Sequence, residues 1–331
     1  MKKLQFLDKT VFKKGNILIY FFIFSCVLSR LSFNFYFFDI LSQLGFQIFI
    51  GSFFLTIILL FLKRYKVAII YLVINLIFLS DILYSCKNCN AIAEKDLKIK
   101  NNLKILIFNV EYSNSIKNFK EIEKMIILEN PDIIYLTEIY GSLNEEVKKL
   151  KKQYVYNLNL DKENIIFNTV IFSKYPLKSK SDLAHDVVVA TVIKNNKQFN
   201  LISVHFVPIA NKLLAEVANG QMAAVKDYIK SSKGDYILLG DLNMTLTSKR
   251  FTNFLNETNL YTYVSLIKPT STWPAKIQRF AHEYVLIENF PNILGIQIDH
   301  VLYSGKFKLI DKKITNNYGS DHRGLLVNLA Y

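Results

Sequence analysis

Apolar residues run almost without a break through three stretches near the amino terminus, Asn16–Phe33, Ile40–Leu62 and Val67–Ser85. Each is long enough to cross a bilayer, which takes roughly 20 helical residues, so the pattern predicts about three transmembrane helices. Lys87 to Asn102 is polar, lysine-rich and without periodicity, as a linker is. From Leu103 short apolar runs alternate with amphipathic stretches, which predicts a mixed α/β domain. The chain thus divides into a membrane region (residues 1–86), a linker (87–102) and a larger domain (103–331).

Within that domain, strands are expected at Leu103–Val110, Asp132–Leu136, Ile165–Ser173, Val187–Ile193, Phe199–His205, Tyr236–Leu239, Ile298–Tyr303, Lys306–Ile310 and Leu325–Leu329. Ile116, Phe119, Ile122, Met125 and Ile126 recur at helical spacing, with Ser113 or Asn114 as the cap and Pro131 as the terminator. Further helices fit Lys212–Ser231 and Arg250–Asn259.

Charge sharpens the membrane reading. The net charge is +14, but residues 1–100 hold 13 Lys/Arg against 5 Asp/Glu, leaving 28 against 22 downstream. Over half of the excess therefore flanks the apolar segments and reads as topology, with only weak support for a polyanionic partner. Lys2, Lys3, Lys9, Lys13 and Lys14 precede the first segment, and Lys63, Arg64 and Lys66 separate the second and third. Basic residues stay in the cytoplasm, so three crossings put everything after Ser85 outside it, although the lysines from Lys87 to Lys100 pull the other way. Arg30 and Asp39 fall near segment ends, where a charge can reach the interface. A cleaved signal peptide fits less well, because two more apolar segments follow and no small-residue cleavage site is visible. Cys26, Cys86 and Cys89 are the only cysteines, which excludes a thiol nucleophile further on. Cys86 and Cys89 leave a disulfide, a redox or metal pair, or no role open.

Polar, metal-competent residues recur at the strand ends, where open sheets and sandwiches place their sites. Asn109, Glu138 and His205 each end a strand, Asp241 and Asn243 follow another, Asp299 opens one, and Asp321 and His322 precede the last. Singly, each has an ordinary explanation as a cap, a turn or a solvated loop residue. Together, carboxylate and amide oxygens without thiols suit a hard cation, Mg²⁺ or Mn²⁺, while histidines beside carboxylates suit proton transfer and charge stabilisation. His185 and His282 read as surface residues.

The ordered set of Asn109, Glu138 after a Pro-Asp-Ile-Ile strand, the run Asn168–Pro176, His205, Gly240-Asp241-Leu242-Asn243, Ile298-Asp299-His300 and Ser320-Asp321-His322 resembles the endonuclease/exonuclease/phosphatase superfamily. The resemblance covers about residues 103–331. It implies a four-layered α/β sandwich of two packed mixed sheets flanked by helices, and a metal-dependent phosphoester hydrolase. It also implies roles: Glu138 as main metal ligand with Asn109 and Asp321, Asp241 and Asn243 orienting the attacking water and the phosphate, and His322, steadied by Asp299, with His205 stabilising charge or moving a proton. Thr137 stands where many members have Gln. The substrate is expected to be a nucleic acid, followed by Lys249, Arg250, Lys276 and Arg279, or a lipid-linked phosphate or pyrophosphate, met by a lip of Trp273, Pro274, Phe280 and Tyr284. An anchored, inactive binding module is the remaining alternative.

Overall fold

In β1 (Asn102–Asn109), Leu103, Ile105 and Ile107 face one way, while Leu106 and Phe108 face the other. Both faces are buried, so this strand is central to a layered structure. We describe a computed structural model of the chain, covering residues 36–85, 88, 101–160, 168–263, 270–276 and 291–331. Two compact units emerge. One comprises Met1–Cys86, as far as it is described, with Thr245–Thr252; the other comprises Lys87–Met244 with Asn253–Tyr331.

The larger unit holds two sheets. One has the order β10-β11-β1-β2-β4-β3, built from β1, β2 (Ile133–Ile139), β3 (Tyr156–Leu158), β4 (Asn168–Ser173), β10 (Lys308–Ile314) and β11 (Leu325–Ala330). The other runs β5 (Leu177–Ala184), β6 (Val187–Lys194), β7 (Lys197–His205), β8 (Tyr236–Asp241), β9 (Asp299–Tyr303). Each sheet contains one parallel pair, β1 with β2 and β7 with β8. A parallel pair needs a crossover. Here a helix of residues Ile116–Glu129 links β1 to β2, and one of Lys212–Ser231 links β7 to β8. Leu103, Ile105, Ile107, Tyr135, Leu201, Leu239 and Val327 belong to the core shared by the two sheets. Leu106, Phe108, Ile134 and Leu136 pack instead with Phe119, Ile122, Met125 and Ile126 of the first crossover helix. Each such buried side chain contributes about 1.5–3 kcal/mol. A single strand-end hydrogen bond is worth about 1 kcal/mol, so the core, not the rim, sets stability. The expected α/β sandwich is present.

Local corrections have local causes. The first crossover helix is capped by Ser115, whose side chain accepts from the Asn118 amide, not by Ser113 or Asn114; Asn114 instead donates to the Val110 carbonyl. It ends on left-handed Asn130, with Pro131 just beyond. β5 was not anticipated, because an edge strand with mostly solvated side chains carries no apolar alternation. Nor were β3 and the short helix Leu143–Lys148 with the 3-10 turn Lys149–Lys152. β10 starts two residues later than expected and reaches Ile314, and β1 takes Asn102 from the linker. Ile165–Phe167 lie outside the described residues.

The helical unit contains α1 (Tyr36–Gln43), α2 (Gly45–Phe61) and α3 (Tyr65–Ser85). α2 and α3 pack together, with Leu59, Ala68 and Tyr71 buried. Phe54, Phe61, Ile69 and Ile77 stay 58–80% exposed. Among the described residues no helix is long and apolar enough to cross a membrane. The expected crossing at Asn16–Phe33 lies outside the described residues, as do the three cysteines, and the stretch Ile40–Leu62 is divided at Leu44 into two helices. Asp39 does not reach an interface. It is buried, accepts from Ser42 (3.3 Å), Gln43 (3.2 Å) and Ser248 (3.3 Å), and lies 3.7 Å from Arg250.

Candidate active site

The two parallel pairs explain why scattered residues meet. Asn109 stands opposite Thr137, and His205 opposite Asp241, so the carboxyl ends of β1, β2, β7 and β8 present four of the expected residues at one rim. Two backbone features aim them. At Gly240 φ is +141°, and a Cβ there would meet the Val204 carbonyl oxygen at 1.8 Å, so only glycine lets β8 close on β7 just before Asp241. Glu138 itself has φ +61° within a register break between β2 and β4. A non-glycine residue held in that region is strained, a condition concentrated at functional sites.

The Asn109 Nδ2 donates to Glu138 Oε1 at 2.8 Å and lies 3.5 Å from Asp241 Oδ2 and 3.4 Å from His322 Nε2. Its oxygen is taken by the Glu111 amide at 3.0 Å, so Asn109 holds Glu138 through its NH₂. His322 Nδ1 donates to Asp299 Oδ2 at 2.9 Å, and its Nε2 lies 3.8 Å from Asp241 Oδ2. Ligand atoms of Asp241, Asp299 and His322 fall within 4.8 Å of one another. Asp241 Oδ1 accepts the Asn243 amide at 2.9 Å, while Asn243 Nδ2 donates to the Phe206 carbonyl at 2.8 Å. His205 Nε2 stands 3.9 Å from both Glu138 and Asp241.

Burial sets the charges. It raises Glu138, against the Asn109 hydrogen bond, and raises Asp241, which also feels Asp299 and Glu138. Burial and the nearby His322 push His205 down to about 4, so it is neutral and its approaches to the carboxylates are not ion pairs at pH 7. Burial would lower His322 too, but the Asp299 carboxylate overrides it and raises the imidazole to about 10. Three crowded carboxylates facing one imidazolium form an electron-rich oxygen cluster, and that donor set fits a hard divalent cation.

Asp321 is placed differently from the buried cluster: its carboxylate accepts from the Trp273 indole at 3.0 Å. Sequence reading missed several supporting groups. Thr137 bonds His205 Nδ1 at 3.1 Å. Thr272 Oγ1 accepts the Ile298 and Asp299 amides. Glu111 accepts the Asp321 amide at 3.0 Å and pairs with Lys276 at 2.8 Å. Ser320 donates to the Asn109 carbonyl at 2.7 Å and receives the His322 amide. Of these, Thr137, by its place before Glu138, and Ser320, by its place before Asp321, carried a signal. Two of the expected nucleic-acid residues are engaged otherwise, Arg250 against Asp39 and Lys276 against Glu111, while Arg279 is outside the described residues, with Phe280, Tyr284 and His282. His185 is exposed and pairs with Asp186 at 2.8 Å.

The family pattern described as "Endonuclease/Exonuclease/phosphatase family" matches residues 106–322, from the middle of β1 to His322. The chain belongs to this family. Its solved relatives share the fold at low identity. An endonuclease/exonuclease/phosphatase from Beutenbergia cavernae is 16% identical, with TM-score 0.51 over 70% of this chain and 72% of that one. D. rerio TDP2, complexed with single strand DNA product, is 14% identical, with TM-score 0.53 over 70% and 100%. A Staphylococcus aureus beta toxin mutant with bound magnesium ions is 18% identical, with TM-score 0.50 over 69% and 99%. No curated protein matches the sequence.

Proposed function

We propose that the chain is a membrane-anchored, Mg²⁺- or Mn²⁺-dependent hydrolase of phosphoesters, working outside the cytoplasm. The observation that carries the reaction is the meeting of Asn109, Glu138, His205, Asp241, Asp299 and His322 at one rim, with His322 held by Asp299 at 2.9 Å. Glu138, oriented by Asn109, would hold the cation, and Asp321 would complete its surroundings through water. Bound there, a divalent ion supplies Lewis-acid polarisation and neutralises charge on the phosphate. The protein's own groups do the rest. His322, kept protonated by Asp299, donates through Nε2 to a phosphate oxygen as charge develops. Asp241, above its ordinary carboxylate range, accepts the proton of the attacking water, and Asn243 Oδ1 orients that water. Neutral His205, fixed by Thr137, offers a second hydrogen bond to the phosphate.

Exposed apolar side chains on α2 and α3 support the anchor and favour a lipid-linked phosphate over nucleic acid. The magnesium of the beta toxin relative supports the choice of metal. The deciding assay incubates full-length protein with Mg²⁺ and, separately, a lipid pyrophosphate, plasmid DNA and bis(p-nitrophenyl) phosphate. Phosphate release from the lipid is expected. Nicking of DNA without it would make the protein a nuclease, and inactivity on all three would leave an anchored binding module.

A further inference from the structure

At the edge of the first sheet, β10 carries a lysine that the site described above does not use. Lys312 is half-buried, and its ammonium donates to Gln297 Oε1 (2.6 Å), Thr270 Oγ1 (3.0 Å) and the Tyr263 carbonyl (3.3 Å). Three donors thus meet three acceptors, and among the described residues none of these is a carboxylate. An ammonium turned away from water without an acid beside it costs stability, and burial pulls this one down to about 7. An apolar side chain would serve packing better, so the charge has another use.

That use is visible at Gln297, which is buried. An ammonium only donates and a carbonyl only accepts, and Gln297 lies between one of each. Its Oε1 takes Lys312, while its Nε2 donates to the Asp299 carbonyl at 3.1 Å. The amide therefore cannot turn over, and the same Nε2 faces His300 Nδ1 at 3.3 Å as a donor. With Nδ1 accepting, the ring proton sits on Nε2, which donates to the Met244 carbonyl at 2.8 Å. Burial keeps this imidazole neutral, as a single ring proton requires. Met244 closes the loop of Asp241 and Asn243, where Asn243 has φ +49°, and the Leu242 amide bonds the Ile298 carbonyl at 2.9 Å. One chain of hydrogen bonds thus runs from β10, past the start of β9 with its Asp299, to the loop that carries Asp241 and Asn243.

We propose that Lys312 is a positioning residue: by pinning Gln297, and His300 through it, the ammonium holds Asp299 and the Asp241–Met244 loop where the reaction needs them. The proposal rests on the hydrolase reading above. Its test uses full-length protein in detergent with Mg²⁺ and bis(p-nitrophenyl) phosphate, comparing the unaltered chain with Lys312→Met, Gln297→Met and the double variant. Lys312→Met is expected to lower kcat about tenfold with KM held within about twofold, since the groups it positions act on the transition state. Gln297→Met should do the same, and the double variant should lose no more than the larger single loss, because both break one chain. In parallel, ¹⁵N-histidine NMR without substrate reads His300, its signal assigned by its loss in His300→Gln. The unaltered chain should show an Nε2-bound proton in slow exchange with water, and Lys312→Met should broaden it away. Unchanged kcat, losses that multiply, or a His300 signal indifferent to Lys312→Met would overturn the positioning role while leaving the hydrolase standing. Absence of Mg²⁺-dependent aryl ester hydrolysis in the unaltered protein would overturn the hydrolase reading and, with it, the catalytic use of this network.

Discussion

His322 and His205 carry the same side chain on the same rim, and their neighbours give them opposite charges. Asp299 holds the first protonated up to about pH 10, while burial keeps the second neutral down to about pH 4. Each predicts a pH response. A histidine raised in the folded state adds stability that is complete below its unfolded pKa of about 6.5 and fades as pH climbs towards 10. The melting temperature of the EDTA-treated protein should therefore fall over that interval, and Asp299→Asn should flatten the fall. His205 and His300, both depressed to about 4, act in the other direction: stability is present above about pH 6.5 and lost as pH drops towards 4. Acid titration followed by circular dichroism should show that loss. For activity, His322→Ala should cost roughly 10²–10⁴ in kcat/KM, the range for removing a positioned acid or base, with the secondary structure retained. Unchanged turnover would remove His322 from the mechanism.

At the scale of elements, closure of β8 on β7 is the tightest requirement. Gly240→Ala drives a methyl group into the Val204 carbonyl, so the expected outcome is insoluble protein, measured as soluble yield against the unaltered chain. The sheets are also joined by a partly buried ion pair. Lys194, on β6, reaches Asp132 at 2.8 Å, just before β2. Lys194→Met leaves that carboxylate only Lys174 as a cation, at 4.0 Å, and should lower the unfolding free energy by about 1.5 kcal/mol, the worth of a charge-assisted hydrogen bond, read from urea titration. Elements with two buried faces were legible in the sequence, because β1, β2, β7 and β8 consist of apolar runs ending in a polar residue. β5 was not, since an edge strand of Lys, Ser and Asp has the composition of a loop. The site followed the same division. Asn109, Glu138, His205 and Asp241 could be read because each terminates such a run. Thr272 could not, and Trp273 was read only as part of a lip, because they hold Asp299 and Asp321 from a segment without periodicity.

For the whole molecule, the proposed anchor makes a separate prediction. Full-length protein should stay in the membrane fraction after an alkaline wash, and an alkaline phosphatase fused after Tyr331 should be active. Release into the supernatant, or a fusion active only as a cytoplasmic reporter, would overturn the topology read from Lys2–Lys14 and Lys63–Lys66. Sequence periodicity placed α3 within two residues but ran α1 and α2 into one stretch, and it gave no sign that Thr245–Thr252 belongs with them, since hydrogen bonds spanning about 200 residues leave no local pattern.

That late segment constrains how the protein is made. Asp39 emerges from the ribosome with Ser42 and Gln43 beside it, but Ser248 follows 209 residues later. At roughly 5–20 residues per second, synthesis leaves the carboxylate waiting on the order of 10–40 s for its remaining partners. The described helices therefore finish folding almost last, and a chain terminated before Thr245 should leave Asp39 without Ser248 and the Arg250 charge and become a substrate for quality-control proteases.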